Sequence, residues 1–322
     1  MKSIVTGVGG QDGHYMVELL LSRGWDVLGV TSNSATLEGL AQEFTSSQFT
    51  ATLLDFEAPN AVEHLIKEHL PDAFFNFAAL ATGSGMFNEP AKMSRINGGF
   101  ALDVLEAARL WHPEMRICQA SSAEMFGDSS SDSENERSCF RPKSPYGAAK
   151  LFAHNMIGIY RSVYGIHCSS AILFNHESIR RPDSFVTKKI ACAAAQIKLG
   201  KTKTLALGSL ETSRDWGFAP EYVDAMFLMA TQDVPNDYVV GTGTLTSLKY
   251  LCKIAFEHVN LDYNDYVVLD SNFIRTIETQ PLRACPESIF RDLGWRAKTP
   301  IAEVMRDMVD FEMEKISPIK PA

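Results

Sequence analysis

The sequence predicts an α/β fold: a doubly wound parallel sheet with helices on both faces. Two observations carry that prediction. Short β-like runs alternate with helix-like segments through the first half of the chain, and the first run opens directly into a glycine-rich turn. With 322 residues, 45% of them apolar and 21% charged, the chain has room for one large α/β unit or for such a unit with a smaller partner.

The elements follow in order. Ser3–Thr6 is a strand, Tyr15–Ser22 a helix with Gly24 at the left-handed position beyond its end, and Asp26–Val30 a strand. A helix over Ala61–Leu70, a strand over Ala73–Ala79, a helix over Ala101–Leu110 and a strand over Arg116–Ala120 continue the pattern. The acidic stretch Asp128–Ser138 reads as an exposed loop. Beyond Ser144 a helix runs to about Tyr164, and His167–Phe174 is a strand. Helices over Thr187–Leu199 and Glu221–Ala230 pair with strands over Thr204–Leu207 and Tyr238–Gly241, and the tail Pro286–Glu314 is mostly helical. No linker divides the chain, so a smaller C-terminal domain is interleaved with the first. Residues 1–173 and 215–245, approximately, form the dinucleotide unit, and 174–214 with 246–322 the substrate-binding unit.

Composition excludes several classes. A net charge of −9 gives no basic footprint for nucleic acid or an anionic membrane. The six cysteines are scattered and form no CxxC pair, so they read as free thiols and not as a disulfide frame or a zinc site. The N-terminus runs straight into strand and glycine loop, leaving no room for a signal peptide, and no apolar run spans a bilayer. A cytoplasmic protein is expected.

Thr6–Gly13 reads TGVGGQDG, with Gly7, Gly10 and Gly13 in a G-x-x-G-x-x-G spacing between the first strand and the first helix. Glycines permit the tight turn and the close backbone approach, and the helix N-terminus faces a pyrophosphate. This marks a Rossmann dinucleotide site, with Gln11 and Asp12 inside it. The second strand ends Gly29–Ser34 with neither the acid that binds the ribose hydroxyl of NAD nor an arginine. Hydroxyl and amide groups, Ser32 among them, hold a 2′-phosphate, so NADP is expected, with NAD the alternative. Asp55, after the third strand, meets the adenine ring or caps a helix.

Tyr146 and Lys150 form a Y-x-x-x-K pair, one turn apart on one helix face. A lysine ammonium beside a tyrosine favours the phenolate, which lowers the tyrosine pKa towards that of a useful base. Ser122 and Glu124 end the strand Arg116–Ala120, at the carboxyl edge where open α/β sheets bind ligands. Glycine loop, serine and Y-x-x-x-K together suit hydride transfer. The serine orients a substrate oxygen, the tyrosine takes its proton and a nicotinamide takes the hydride.

Longer runs carry a resemblance. GVGGQDG at Gly7–Gly13, QASSAEMFG at Gln119–Gly127, SPYGAAK at Ser144–Lys150, ILFNHESIRR at Ile172–Arg181, FVTKKI at Phe185–Ile190 and RDWG at Arg214–Gly217 resemble the GDP-mannose 4,6-dehydratase family, part of the extended short-chain dehydrogenase/reductases. The resemblance covers nearly the whole chain. It implies an NADP-dependent dehydratase acting on a GDP-linked sugar. Tyr146 deprotonates the 4-hydroxyl with Lys150 and Ser122, Glu124 takes the C5 proton as the 6-hydroxyl leaves, and the hydride returns at C6. It further implies that Phe56, Ala78, Ala79, His176 and Arg181 touch the cofactor. Asn175, Lys189, Arg214, Arg275 and Glu278 are expected near the substrate nucleotide. A structural histidine, a surface arginine and, for Arg275 with Glu278, a surface ion pair are the alternatives. A homodimer or homotetramer is expected, with the helices around Ala101–Leu110 and Pro145–Tyr164 between subunits.

The chain departs from the family pattern in three places. Ser32 and Asn33 stand where the family has two arginines, Ser122-Ala123 replace Thr-Ser, and Leu80–Met86 replaces a Gln-Ser-His run with a glycine-rich one. The last points to a reshaped sugar pocket. An epimerase or 4-oxidoreductase on the same scaffold is the competing enzyme, and Glu124 favours dehydration over it.

Overall fold

The computed structural model describes residues 1–81, 87–129, 131–273 and 280–317. Its strands are β1 (Lys2–Thr6), β2 (Asp26–Thr31), β3 (Phe49–Leu53), β4 (Ala73–Asn76), β5 (Arg116–Ser122), β6 (Cys168–Leu173), β7 (Asn175–Glu177), β8 (Leu205–Leu207), β9 (Ser213–Phe218), β10 (Tyr238–Val240), β11 (Leu245–Ser247) and β12 (Val267–Leu269). Seven of them form one parallel sheet in the order β10-β6-β5-β4-β1-β2-β3. The chain builds outward from β1 to β3, then crosses back to β4, so the carboxyl ends of β1 and β4 flank the switch point where such sheets bind ligands. All of β4 and β6 is buried, and all but the first residue of β5, as expected of strands covered on both faces.

Local chemistry fixes the helices that matter. Ser144 accepts a hydrogen bond from Gly147 N at 3.0 Å, Pro145 occupies the first turn and Gly165 closes the helix Pro145–Tyr164 at φ +70°. Gly24 has φ +74°, as expected beyond the first helix. The strand expected over Ala73–Ala79 stops at Asn76. There Thr6 Oγ1 donates to Asn76 Oδ1 at 2.6 Å, Asn76 Nδ2 donates to Gln119 Oε1 at 2.7 Å, and Ala78 N donates to Thr6 Oγ1 at 3.1 Å. That buried polar ladder turns the chain away from the sheet and lays it over the glycine loop.

A second core lies apart from the main sheet. Three helices (Val186–Lys198, Leu248–His258 and Ile301–Ile316) enclose Ile190, Ala194, Leu251, Phe256, Met305 and Met308. They pack against a small sheet of order β11-β9-β7 and a parallel pair of β8 with β12. Between the segments that build this core, the helix Ala219–Thr231 and β10 return to the large sheet. The stretch Asp128–Ser138 is not wholly exposed, because Glu134 is buried and bridges Ala284. Cys118, Cys168 and Cys252 are buried free thiols, and Cys139 is exposed. Among the described residues no helix is long and apolar enough to cross a membrane.

Candidate active site

The glycine turn is packed backbone to backbone. Gly7 has φ +70°, and a Cβ there would lie 2.8 Å from the Phe77 carbonyl; a Cβ on Gly13 would lie 2.4 Å from Gly7 O. Gly10 precedes the helix Gln11–Ser22 with no side-chain cap, so its first-turn N–H groups have no side-chain partner there, which fits a pyrophosphate. Gly13→Ala is therefore expected to destabilise the fold by about 1–3 kcal/mol and to weaken dinucleotide binding. Thermal unfolding and cofactor titration check this; a variant equal to the wild type in both contradicts it.

Further along the same edge, Ser32 is exposed, while Asn33 Oδ1 accepts from Thr36 N at 3.0 Å and caps the helix Ser34–Glu43. Asp55 is exposed and its Oδ1 accepts from Glu57 N at 2.9 Å, a local turn and not a helix cap. The Phe56 ring packs edge-to-face on Phe100 at 4.9 Å in the core, so its side chain does not face the cleft. Ala78 is buried, and Ala79 lines the cleft.

Ser122, Glu124, Tyr146 and Lys150 meet on the wall of a cavity of about 670 Å³. Ser122 ends β5, and its Oγ accepts from Glu124 N at 3.2 Å, seating Glu124 on a single 3-10 turn over Ala123–Met125. A Cβ on Gly147 would come 2.6 Å from Glu124 O, so the tyrosine helix can approach this turn only because residue 147 has no side chain. Lys150 is buried; its Nζ donates to Ala120 O at 2.7 Å and stands 5.8 Å from the Tyr146 ring centre.

The expected lowering of the Tyr146 pKa is not what the structure shows. Enclosure of the phenol pushes it up to about 12, against the Ser122 hydrogen bond and with the Glu124 and Asp12 charges adding to the rise. Burial likewise pushes Lys150 down to about 8, with Asp12 opposing. Spacing put the two side chains on one face correctly, but it carries no information about enclosure, which here outweighs their mutual effect.

Asp12 and His176 form the floor. His176 Nε2 lies 3.0 Å from Asp12 Oδ2 and Nδ1 lies 2.6 Å from Phe174 O. Both partners are acceptors, so both ring nitrogens carry protons. Burial opposes that charge, but Asp12 outweighs it and the His176 pKa is raised; Asp12, also opposed by burial, is lowered by His176. Gln11 is bound within the protein: it donates to His176 O at 3.0 Å and accepts from Ser178 Oγ at 2.7 Å. Arg181 is half-buried, not on the surface. Its Nε lies 3.0 Å from Glu177 Oε2 at an angle that gives an ion pair without a hydrogen bond, and its guanidinium covers the Phe185 ring at 3.7 Å.

At the far end Asn175, Lys189 and Arg214 line the same cavity with Phe185 and Trp216. Adjacent lysines divide their work. Lys188 is buried, with Nζ 2.6 Å from Glu312 Oε1, whereas exposed Lys189 faces the cavity 5.6 Å from the Phe273 ring. Arg275, Glu278 and residues 82–86 of the glycine-rich segment lie outside the described residues. Sequence reasoning missed Asp215. Its buried carboxylate accepts from Thr242 N and Oγ1, Gly243 N and Ala284 N at 2.6–3.1 Å, pinning two loops beside Arg214. The RDWG run was the available signal. Among the described residues no three His, Cys, Asp or Glu side chains are grouped to hold a metal.

Comparison with known proteins places this geometry in context. A family model described as "GDP-mannose 4,6 dehydratase" matches residues 4–308. GDP-mannose 4,6 dehydratase 1 of Arabidopsis thaliana is 35% identical over 324 residues, which is 97% of this chain and 90% of the relative. GDP-mannose 4,6-dehydratase of Sinorhizobium fredii is 35% identical over 334 residues, 95% of each chain. Among solved structures, dTDP-glucose 4,6-dehydratase from Bacillus anthracis, in complex with NAD, superposes with a TM-score of 0.84 over 98% of this chain and 97% of its own at 18% identity, a likeness of fold.

Proposed function

The chain belongs to the GDP-mannose 4,6-dehydratase family, and from that premise we propose that it removes water from GDP-mannose, giving a GDP-4-keto-6-deoxy sugar, with NADP as cofactor. The observation that carries this reading is a second carboxylate base, Glu124, on the same cavity wall as Ser122, Tyr146 and Lys150. Oxidation of an alcohol needs only the last three. Elimination needs the fourth.

Ser122 holds the sugar O4 against Tyr146, and Tyr146 takes the O4 proton with Lys150 fixed beside it by Ala120 O. The C4 ketone acidifies the neighbouring C5–H, and Glu124 takes that proton and delivers it to the departing 6-hydroxyl, which leaves as water. A bound nicotinamide would accept hydride from C4 and return it to C6, and the enolate left by that return takes a proton at C5, which balances the O4 proton that Tyr146 took up. Gly7, Gly10 and Gly13 hold the pyrophosphate; Ser32, Asp55, Ala78, Ala79 and the backbone at Gln11 and Phe56 line the dinucleotide. Asp12, His176 and Arg181 close the nicotinamide end. Lys189, Arg214 and Arg275 bind the diphosphate of the substrate, with Asn175 beside it and Glu278 on the guanine edge. Exposed Leu110, Trp111, Phe152, Ile159, Val163 and Tyr164 on the helices Phe100–Trp111 and Pro145–Tyr164 support a homodimer or homotetramer through that face.

The purified protein with GDP-mannose and NADP is expected to yield a product lighter by one water; a product of unchanged mass refutes dehydration and favours epimerisation. No carboxylate follows β2, so NADP is expected to bind roughly tenfold or more tightly than NAD. Fluorescence titration with both cofactors checks this, and a clear preference for NAD contradicts it.

A further inference from the structure

The turn after β7 is tied both to the helix that opens the dinucleotide site and to the helix that carries Lys189. On the first side, Gln11 Nε2 donates to His176 O at 3.0 Å, Ser178 Oγ donates to Gln11 Oε1 at 2.7 Å, and His176 Nε2 lies 3.0 Å from Asp12 Oδ2. On the second, Thr187 Oγ1 donates to Glu177 Oε2 at 2.5 Å and Lys188 Nζ donates to Ile179 O at 2.8 Å. The Arg181 guanidinium also covers the ring of Phe185, the residue that precedes the helix Val186–Lys198. Residues 176–181 thus bridge the two binding units. None of the steps above uses Glu177 or Thr187.

Glu177 is the joint of this bridge. It is 1% exposed, and a single oxygen, Oε2, both stands 3.0 Å from Arg181 Nε and accepts from the Thr187 hydroxyl. One contact runs to the cation on the cofactor side, the other to the helix on the substrate side. Enclosure pushes the carboxyl above its ordinary value, with Asp12 adding to the rise and Arg181, Thr187 and His176 opposing it. A carboxylate buried in this way depends on its partners for its charge. Thr187 is itself buried and lies two residues before Lys189, which faces the cavity. The first turn of that helix therefore cannot shift without breaking the Thr187 hydrogen bond, and Arg181 cannot shift without leaving Oε2 and the Phe185 ring.

We propose that Glu177 couples the two halves of the site, so that a dinucleotide engaging Arg181 fixes, through Glu177 and Thr187, the helix turn that presents Lys189 to the substrate diphosphate. The inference rests on the dehydratase reading for the roles of Arg181 and Lys189. A ligand on either side orders the shared turn, and the second ligand meets it already ordered, so each tightens the other. Linkage requires the factor to be the same in both directions. Glu177 acts through Arg181 and Thr187, as a positioning residue. The chemistry gives such coupling a use. The hydride taken at C4 returns to C6 of the same sugar, so cofactor and nucleotide sugar must stay together between the two transfers.

The test titrates the full chain with NADP, alone and at saturating GDP, and with GDP, alone and at saturating NADP. GDP stands for the substrate nucleotide and does not react. In the wild type each ligand is expected to tighten the other by roughly fivefold or more, with the same factor in both orders. Glu177→Gln keeps the shape and a polar contact to Thr187 but loses the charge beside Arg181. Thr187→Val keeps the volume and loses the hydroxyl. Both are expected to bring the factor close to one, and Thr187→Ser, which retains the hydroxyl, to keep it. A merely structural loss would weaken both ligands and leave the factor unchanged. Thermal unfolding checks the fold, and Thr187→Val against Thr187→Ser decides the matter if Glu177→Gln fails to fold. A wild-type factor of one, or an undiminished factor in Glu177→Gln or Thr187→Val, overturns the coupling. If the wild type fails to bind GDP or any nicotinamide dinucleotide, the dehydratase reading and the coupling fall together. If it binds both independently of each other, only the coupling falls.

Discussion

Glu124→Gln is expected to slow water loss by ~10²–10⁴-fold while leaving the fold and cofactor binding intact. The amide nearly matches the carboxylate in shape, and the backbone N–H that Ser122 Oγ holds at 3.2 Å is untouched. What disappears is the base at C5. No neighbour in the same turn can replace it, because residue 123 is a buried alanine, so the loss belongs at the upper end of that range. Oxidation at C4 relies on Ser122, Tyr146 and Lys150, all still present. Absorbance of reduced nicotinamide should therefore rise and persist in the variant, with no dehydrated product by mass. Near-normal water loss from Glu124→Gln would show that another group removes the C5 proton.

Tyr146→Phe is expected to fail one step earlier, with a comparable loss of ~10²–10⁴-fold. Without the phenol oxygen the O4 proton loses the base assigned to it, and Lys150, whose Nζ donates to Ala120 O at 2.7 Å, does not stand in for it. No reduced nicotinamide should accumulate. The contrast is diagnostic: Glu124→Gln stalls after oxidation, Tyr146→Phe before it. Accumulation of reduced nicotinamide in Tyr146→Phe would contradict the assignment of the first base.

The parts of this architecture legible in the sequence are those set by neighbours along the chain. The long helix was legible from Ser144, Pro145 and its apolar spacing, because capping and periodicity act within a few residues. Six strands of the main sheet were legible because their burial leaves apolar runs, whereas β3, at the sheet edge with only Phe49 buried, received no bounds. The helix Ser34–Glu43 was not legible, since it buries only Leu40 and so carries no stripe. Neither were β7, β11 and β12, which have three residues each, too few for an alternation to register. β9 contains Arg214 and Asp215, whose polar character masks a strand paired on both edges.

The candidate site divides along the same line. Ser122, Tyr146 and Lys150 were legible because their spacing on one strand end and one helix face has a chemical meaning. The direction of the Tyr146 shift was not, because enclosure depends on walls contributed by distant segments. His154 Nδ1 lies 2.8 Å from Ser170 Oγ, and Ser170 Oγ donates to Ser121 Oγ at 2.8 Å; these contacts join residues 16 and 49 positions apart, and no local pattern announces them. Asp215 likewise gains its four donors from Thr242, Gly243 and Ala284.

The account turns on one claim, that the hydrogen removed at C4 is the one restored at C6 while Glu124 removes water between them. GDP-mannose carrying deuterium at C4 tests it most directly, with the product read by mass and NMR. The account predicts a product that has lost water and carries the label at C6. Label retained at C4 of an undehydrated sugar, or lost to the pool of free cofactor, would contradict it.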